Sequence, residues 1–213
     1  ARAAFWIGVN LSLRGEARAD GWFARARRLV ERAGRECVEQ GYLALARMLE
    51  RRVAGDLDAA VAAGAEAVAS AERFGDADLF ALAAQEQGIM LIVRGRVSEG
   101  LALLDEAMVA VTAGELSPMV NGFVYCGVIT GCQAAYEPRR AREWTAALTR
   151  WCERQPDMVA FTGTCLVHRA EILQLHGDWR AALEEARRAR ERCEAAGNAA
   201  AAAQALYRQG ELH

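Results

Sequence analysis

Four glycines that each follow an amphipathic segment divide this chain at nearly even steps. They are Gly15 in LRGEA, Gly55 in VAGDLDAA, Gly95 in VRGRVSEG and Gly177 in LHGDWRAA. The first three lie 40 residues apart, and the last gap of 82 is two steps of 41. Its midpoint falls on AAYEPRRA, a proline-marked turn around Tyr136–Pro138. A fixed period of this size, with a helical pattern on either side of each mark, is the signature of stacked helical hairpins. No such hairpin can cover its own apolar stripe, so each neighbour must cover the next. Helices are expected at 1–14, 19–33, 36–54, 57–74, 77–94, 97–112, 117–135, 138–154, 158–176, 178–195 and 198–211. They group as hairpins over 1–34, 36–74, 77–113, 117–155 and 158–196, with an unpaired helix at 198–211, in a single repeat domain spanning 1–213.

Composition supports helix throughout. Only three prolines interrupt 213 residues, and alanine, leucine, arginine and glutamate outnumber β-branched residues, which favours helix. Apolar residues make up 53% and charged residues 25%, ordinary for a folded, water-soluble chain. The fifth hairpin shows the local logic. In HGDW, Gly177 ends one helix and Asp178 is placed to cap the next. Trp179, Ala182, Leu183, Ala186, Ala189 and Cys193 then form one stripe at i, i+3, i+4, i+7 spacing, with Glu184 and Arg188 as an outward i,i+4 pair.

Small residues recur at fixed places. With the turn glycine as position 15, hairpins two and five carry alanine at 20 and 27 (Ala60 and Ala67, Ala182 and Ala189). Hairpin three has Gly88 at 8, Gly100 at 20 and Ala107 at 27. This pattern resembles the tetratricopeptide (TPR) repeat, in long and degenerate form since the period exceeds about 34 residues. The resemblance implies a right-handed all-α solenoid of about five hairpins plus one extra helix. It also implies that positions 2, 5, 9 and 12 of each first helix line a concave groove. These are Tyr42, Leu45, Leu49 and Arg52; Leu82, Gln85, Ile89 and Ile92; Phe123, Cys126, Thr130 and Gln133; and Thr164, Val167, Glu171 and Gln174. The candidate interaction residues are Gln85, Ile89, Phe123, Cys126, Thr130, Gln133, Val167, Glu171 and Gln174, an apolar wall with a few hydrogen-bonding groups. A register off by one would instead make these positions core.

Catalytic patterns are scarce. All 26 basic side chains are arginine, which excludes a P-loop lysine or a Schiff-base lysine. No Gly-x-Gly-x-x-Gly, Gly-x-Ser-x-Gly or His-Glu-x-x-His sequence occurs. Cys165, His168, Glu171 and His176 are the one tempting ligand cluster; the first three step by three along one helix, yet a fourth ligand and a dry setting would still be needed. The reading adopted is structural, with no metal, no cofactor and no catalysis. The six cysteines form no C-x-x-C and read as reduced thiols of a cytoplasmic protein. The stretch PRRAREWTAALTRWCER (138–154) places Trp144 and Trp151 on one face and its arginines on a solvated face, with a nucleic-acid or partner patch as the minority reading. Neither a membrane-length apolar run nor a signal peptide is visible. Both ends read as cut from a longer chain.

The segment SPMVNGFVYCGVITGCQAAYEPRRAREWTAALTRWCERQPDMVAFTGTCLVHRAEILQLHGDWRAALEEARRA (117–189) resembles the TPR region of large actinobacterial-type LuxR-family (MalT-like) transcriptional regulators. That resemblance implies a regulatory domain that binds a protein segment or a small effector, with DNA binding carried by a helix-turn-helix domain absent from these residues. A homodimer is left open. The alternative is an accessory scaffold of a multidomain signalling enzyme of nucleotide cyclase or ATPase type. Because the net charge is −2 and no recognition-helix motif is present, this chain alone should give no sequence-selective, salt-dependent mobility shift with duplex DNA.

Overall fold

The computed structural model describes residues 1–13, 16–154 and 159–213. These residues form eleven α-helices and no strand. They are α1 (Arg2–Leu13), α2 (Ala19–Ala33), α3 (Glu39–Val53), α4 (Leu57–Phe74), α5 (Ala77–Val93), α6 (Val97–Ala113), α7 (Pro118–Ala134), α8 (Pro138–Glu153), α9 (Val159–Leu175), α10 (Trp179–Ala195) and α11 (Ala199–Leu212). The expected helices all appear, with ends displaced by at most three residues.

The chain divides into two compact units, Ala1–Val124 and Tyr125–His213, with the division inside α7. In the first unit α1 packs on α2, α3 on α4 and α5 on α6, while α4 also meets α5. In the second, α8 packs on α9, α9 on α10 and α10 on α11. These pairs of consecutive helices, separated by few residues in the chain, are the pairing expected of helical hairpins.

The turns share one mechanism. Gly55, Gly95 and Gly177 take φ of 78°, 81° and 79°, a left-handed conformation that suits glycine. In each the next amide reaches back over the helix end: Asp56 N to Arg51 O at 2.9 Å, Arg96 N to Leu91 O at 2.9 Å and Asp178 N to Leu173 O at 3.0 Å. This is the Schellman arrangement, which satisfies carbonyls otherwise orphaned at the helix end. The fourth turn keeps the geometry without the glycine. Tyr136, 41 residues after Gly95 and 41 before Gly177, has φ 56°, and Glu137 N bonds Cys132 O at 2.9 Å. Gly15 lies outside the described residues.

Caps begin the second helices. The Asp56 carboxylate accepts from Ala59 N at 3.2 Å and the Asp178 carboxylate from Ala181 N at 3.3 Å, and Pro138 opens α8, where its missing N–H is no loss. Asp76 does more than cap α5. It accepts from Leu79 N at 2.9 Å and from the Tyr42 hydroxyl at 3.0 Å, and it pairs with Arg2 at 3.0 Å, linking α1, α3 and α5.

Close approach within hairpins rests on the small residues. Ala60, Ala67, Ala107, Ala182 and Ala189 are wholly buried. At Gly88 an added Cβ would stand 2.8 Å from Gly100 O, and at Gly100 it would stand 2.5 Å from Gly88 O. Helices α5 and α6 thus meet backbone to backbone.

Two details of the fifth hairpin differ from expectation. Trp179, the first residue of α10, is 58% exposed. Glu185 is buried instead, held by Arg169 at 3.5 Å and Arg188 at 3.4 Å. The expected Glu184–Arg188 pair is replaced by Glu184–Arg187 at 2.8 Å, since Glu185 draws Arg188 away.

Two substitutions test these turns and contacts. Tyr136 is 92% exposed, so Tyr136→Gly removes backbone strain at little packing loss and should raise unfolding stability by about 1 kcal/mol. Gly100→Ala should lower it by about 1–3 kcal/mol, because α5 and α6 must separate. Denaturant midpoints of both variants check the two signs.

Candidate functional site

In the first unit α1, α2, α3 and α5, with Phe123 of α7, line a half-open cavity of about 620 Å³, within the range of small-molecule sites. Its construction starts at Asp76, which fixes Arg2 and Tyr42. The Arg2 guanidinium also lies 5.0 Å over the Tyr42 ring, a cation–π contact that seats α1 against α3. Burial, followed by the negative charge of Asp76, pushes the Tyr42 hydroxyl well above the ordinary phenol range. It stays a neutral donor to that carboxylate.

Seating α1 in this way brings its aromatic residues together. Phe5 meets Trp6, Phe23 and Tyr42 edge-on, with centroids at 5.2, 5.9 and 5.2 Å. Trp6 and Phe123 lie nearly parallel, 17° apart, with centroids at 6.3 Å. Gly8 makes room for this grouping, because a Cβ there would stand 3.0 Å from the Phe23 ring. Leu45, Leu49 and Leu82 complete the apolar wall.

A polar cluster interrupts that wall. Gln85, only 4% exposed, donates from Nε2 to Glu86 Oε1 at 3.2 Å. Arg52 approaches Glu86 Oε2 at 3.5 Å. Gln85 Oε1, Glu86 Oε2 and Arg52 Nε are buried without a hydrogen-bond partner, and all three residues line the cavity. Burial raises the Glu86 carboxyl above the ordinary range, against the opposing pull of Arg52 and the bond from Gln85. Buried polar atoms left unpaired are costly in an ordinary core.

The second unit holds a different constellation. Glu171 of α9 accepts from Gln133 Nε2 of α7 at 3.0 Å, pairs with Arg208 of α11, and faces His168 Nδ1 at 3.6 Å. Cys126 hydrogen-bonds the His168 side chain. Burial alone would depress the imidazole, but bonds and charges of Cys126 and Glu171 outweigh it and lift His168 to about 10. Burial would likewise raise Glu171, yet His168, Gln133 and Arg208 hold it at about 2. One carboxylate thereby ties three helices.

The expected groove residues fall into these two places. Gln85 and Phe123 line the cavity, as do Leu45, Leu49, Arg52 and Leu82 of the same register, while Ile89 is half-buried and does not. Cys126, Gln133 and Glu171 belong to the ionic cluster. Val167 is buried among Ala189, Ala205 and Leu166. Thr130 is exposed and bonds Cys126 O on its own helix at 2.9 Å, and Gln174 is half-buried. Thr164 and the Cys165 side chain lie outside the described residues. His176 serves its own helix end, its Nδ1 lying 2.8 Å from Ile172 O. Among the described residues no three His, Cys, Asp or Glu side chains gather as a metal site, and no helix is long and apolar enough to cross a membrane. Cys37, Cys126, Cys132, Cys152 and Cys193 form no disulfide.

Sequence reasoning missed Phe5, Trp6 and Phe23, because the groove register was counted from hairpin two onward. The available signal was the aromatic pair beside Gly8 in AAFWIGV. It also missed Arg208, which sits on the helix assigned to no hairpin.

Comparison with known proteins leaves the site to be read from its own chemistry. No family model matches this chain, and no curated protein matches it.

The ionic cluster predicts a pH dependence. His168, raised from 6.5, adds stability that is complete below about pH 6.5 and is lost as pH rises through about 10. Glu171, lowered from 4.5, adds stability that is lost as pH falls from about 4.5 through about 2. Denaturant midpoints should therefore decline above pH 6.5, and His168→Gln should flatten that alkaline decline.

Proposed function

We propose that this chain is the effector-binding, regulatory part of a LuxR-type transcriptional regulator, a TPR-like repeat region acting in the cytoplasm without catalysis of its own. One observation carries the effector reading: an aromatic cavity lined by Gln85, Glu86 and Arg52, each with a buried side-chain atom that has no hydrogen-bond partner inside the protein. Apolar walls around such a half-open space stay in contact with water, and buried polar atoms without partners reduce stability. A bound molecule removes both defects. It would also stabilise the packing of α1 and α2 on α3 and α5, and a shift in that packing could bias a distant output domain. The repeat pattern of hairpins and the resemblance of residues 117–189 support the regulator reading, and pairing of consecutive helices supports the solenoid.

The neutral dye N-phenyl-1-naphthylamine, which brightens in apolar surroundings, tests the cavity. Saturable, equimolar binding to the wild-type chain is expected. Leu49→Trp, which fills the cavity from α3, should abolish binding while leaving helix content and melting nearly unchanged. In the regulator that contains this region, the same substitution should lock transcription of a reporter in one state. Dye binding unaffected by Leu49→Trp would place the effector site elsewhere, and a normally responding reporter would remove the cavity from regulation.

A further inference from the structure

We infer that the cavity selects an uncharged, largely aromatic small molecule bearing a lactam- or amide-like edge, an N–H donor beside a carbonyl acceptor. This inference rests on the effector-site reading and specifies its ligand. The apolar part follows from Phe5, Trp6, Phe23 and Phe123, whose ring faces and edges favour a flat aromatic body. The edge follows from the unpaired atoms. Gln85 Oε1 is an acceptor that lacks a donor, Glu86 Oε2 meets only the Arg52 guanidinium at 3.5 Å, and Arg52 Nε is a donor that lacks an acceptor. Gln85 and Glu86 are joined at 3.2 Å and Glu86 and Arg52 at 3.5 Å, so the three groups form one contiguous polar spot. Gln85 is 4% exposed and lines the cavity, so its unsatisfied oxygen has little access to bulk water.

The same atoms define what the site rejects. A carboxylate or phosphate would bring acceptor oxygens against the acceptor oxygens of Gln85 and Glu86, and Arg52 is already engaged by Glu86. An ammonium could meet Glu86, but it would leave Arg52 Nε unpaired and would itself be stripped of water in an aromatic chamber. A ligand with one N–H and one C=O on adjacent atoms offers a donor to Gln85 Oε1 and an acceptor to Arg52 Nε, and carries no charge. Discrimination should be strong for the N–H in particular, because a site built around buried polar groups rejects an analogue that leaves them unpaired.

Calorimetric titration of the wild-type chain with four matched bicyclic probes decides the matter. They are 2-quinolinone, its N-methyl derivative, naphthalene and 1-naphthoate. 2-Quinolinone should bind about tenfold or more tightly than N-methyl-2-quinolinone, which keeps the carbonyl and loses the donor. Naphthalene should bind more weakly than 2-quinolinone, and 1-naphthoate should not bind. In Gln85→Leu, which removes the unpaired acceptor and retains an apolar side chain of similar size, the preference for 2-quinolinone over its N-methyl derivative should fall severalfold. Equal wild-type affinity for those two compounds overturns the donor-edge inference while leaving the cavity a binding site. Preferred binding of 1-naphthoate overturns the charge argument and with it the inference. If none of the four binds to folded chain, both the ligand class and the effector reading fall.

Discussion

Two helices form a hairpin only if their axes can approach, and in this chain the approach is made possible by taking side chains away. Gly88 and Gly100 leave each backbone in the other's reach, with no room for even a methyl group on either. Alanines do the same, less closely, at Ala60, Ala67, Ala182 and Ala189. Close approach hides one face of each helix and leaves the remaining apolar stripe to be covered by the next hairpin, so stability is built between neighbours. Everything larger in the molecule depends on that spacing.

Turn geometry carries the same constraint into the sequence. A left-handed residue must stand at each corner, and glycine meets that need without strain at Gly55, Gly95 and Gly177. Tyr136 adopts the same conformation although it carries a side chain. Conformation at the corner thus follows from the back-bonded helix end and the period. Residue type determines only how much strain the corner stores.

Unpaired buried polar atoms occur in both units, in different settings. In the second, Glu171 is engaged by Gln133, Arg208 and His168, and the result is a network that holds three helices together, although His168 Nδ1 itself has no hydrogen-bond partner. In the first, Arg52, Gln85 and Glu86 engage one another incompletely and line open volume. Incompletely paired groups beside such a space are poised for a partner from outside.

The number, order and limits of the helices were legible in the sequence because they depend on local rules. Helical periodicity, left-handed corners and N-terminal caps each act within a few residues, and a period near forty repeats them. The small positions were legible too, since close packing demands them wherever a hairpin recurs. Side-chain destinations were not. That Gln85 and Phe123 line the cavity of the first unit, and that Glu171 and Gln133 join an ionic network in the second, does not follow from their spacing. Trp179 reads as core by spacing and is exposed, while the acidic Glu185 is buried. Cavity walls join residues far apart in the chain, from Phe5 to Phe123, and whether a polar atom finds a partner depends on every helix around it. Only tertiary packing decides such matters, because burial and hydrogen bonding are properties of neighbours in space while a repeat pattern describes neighbours along the chain.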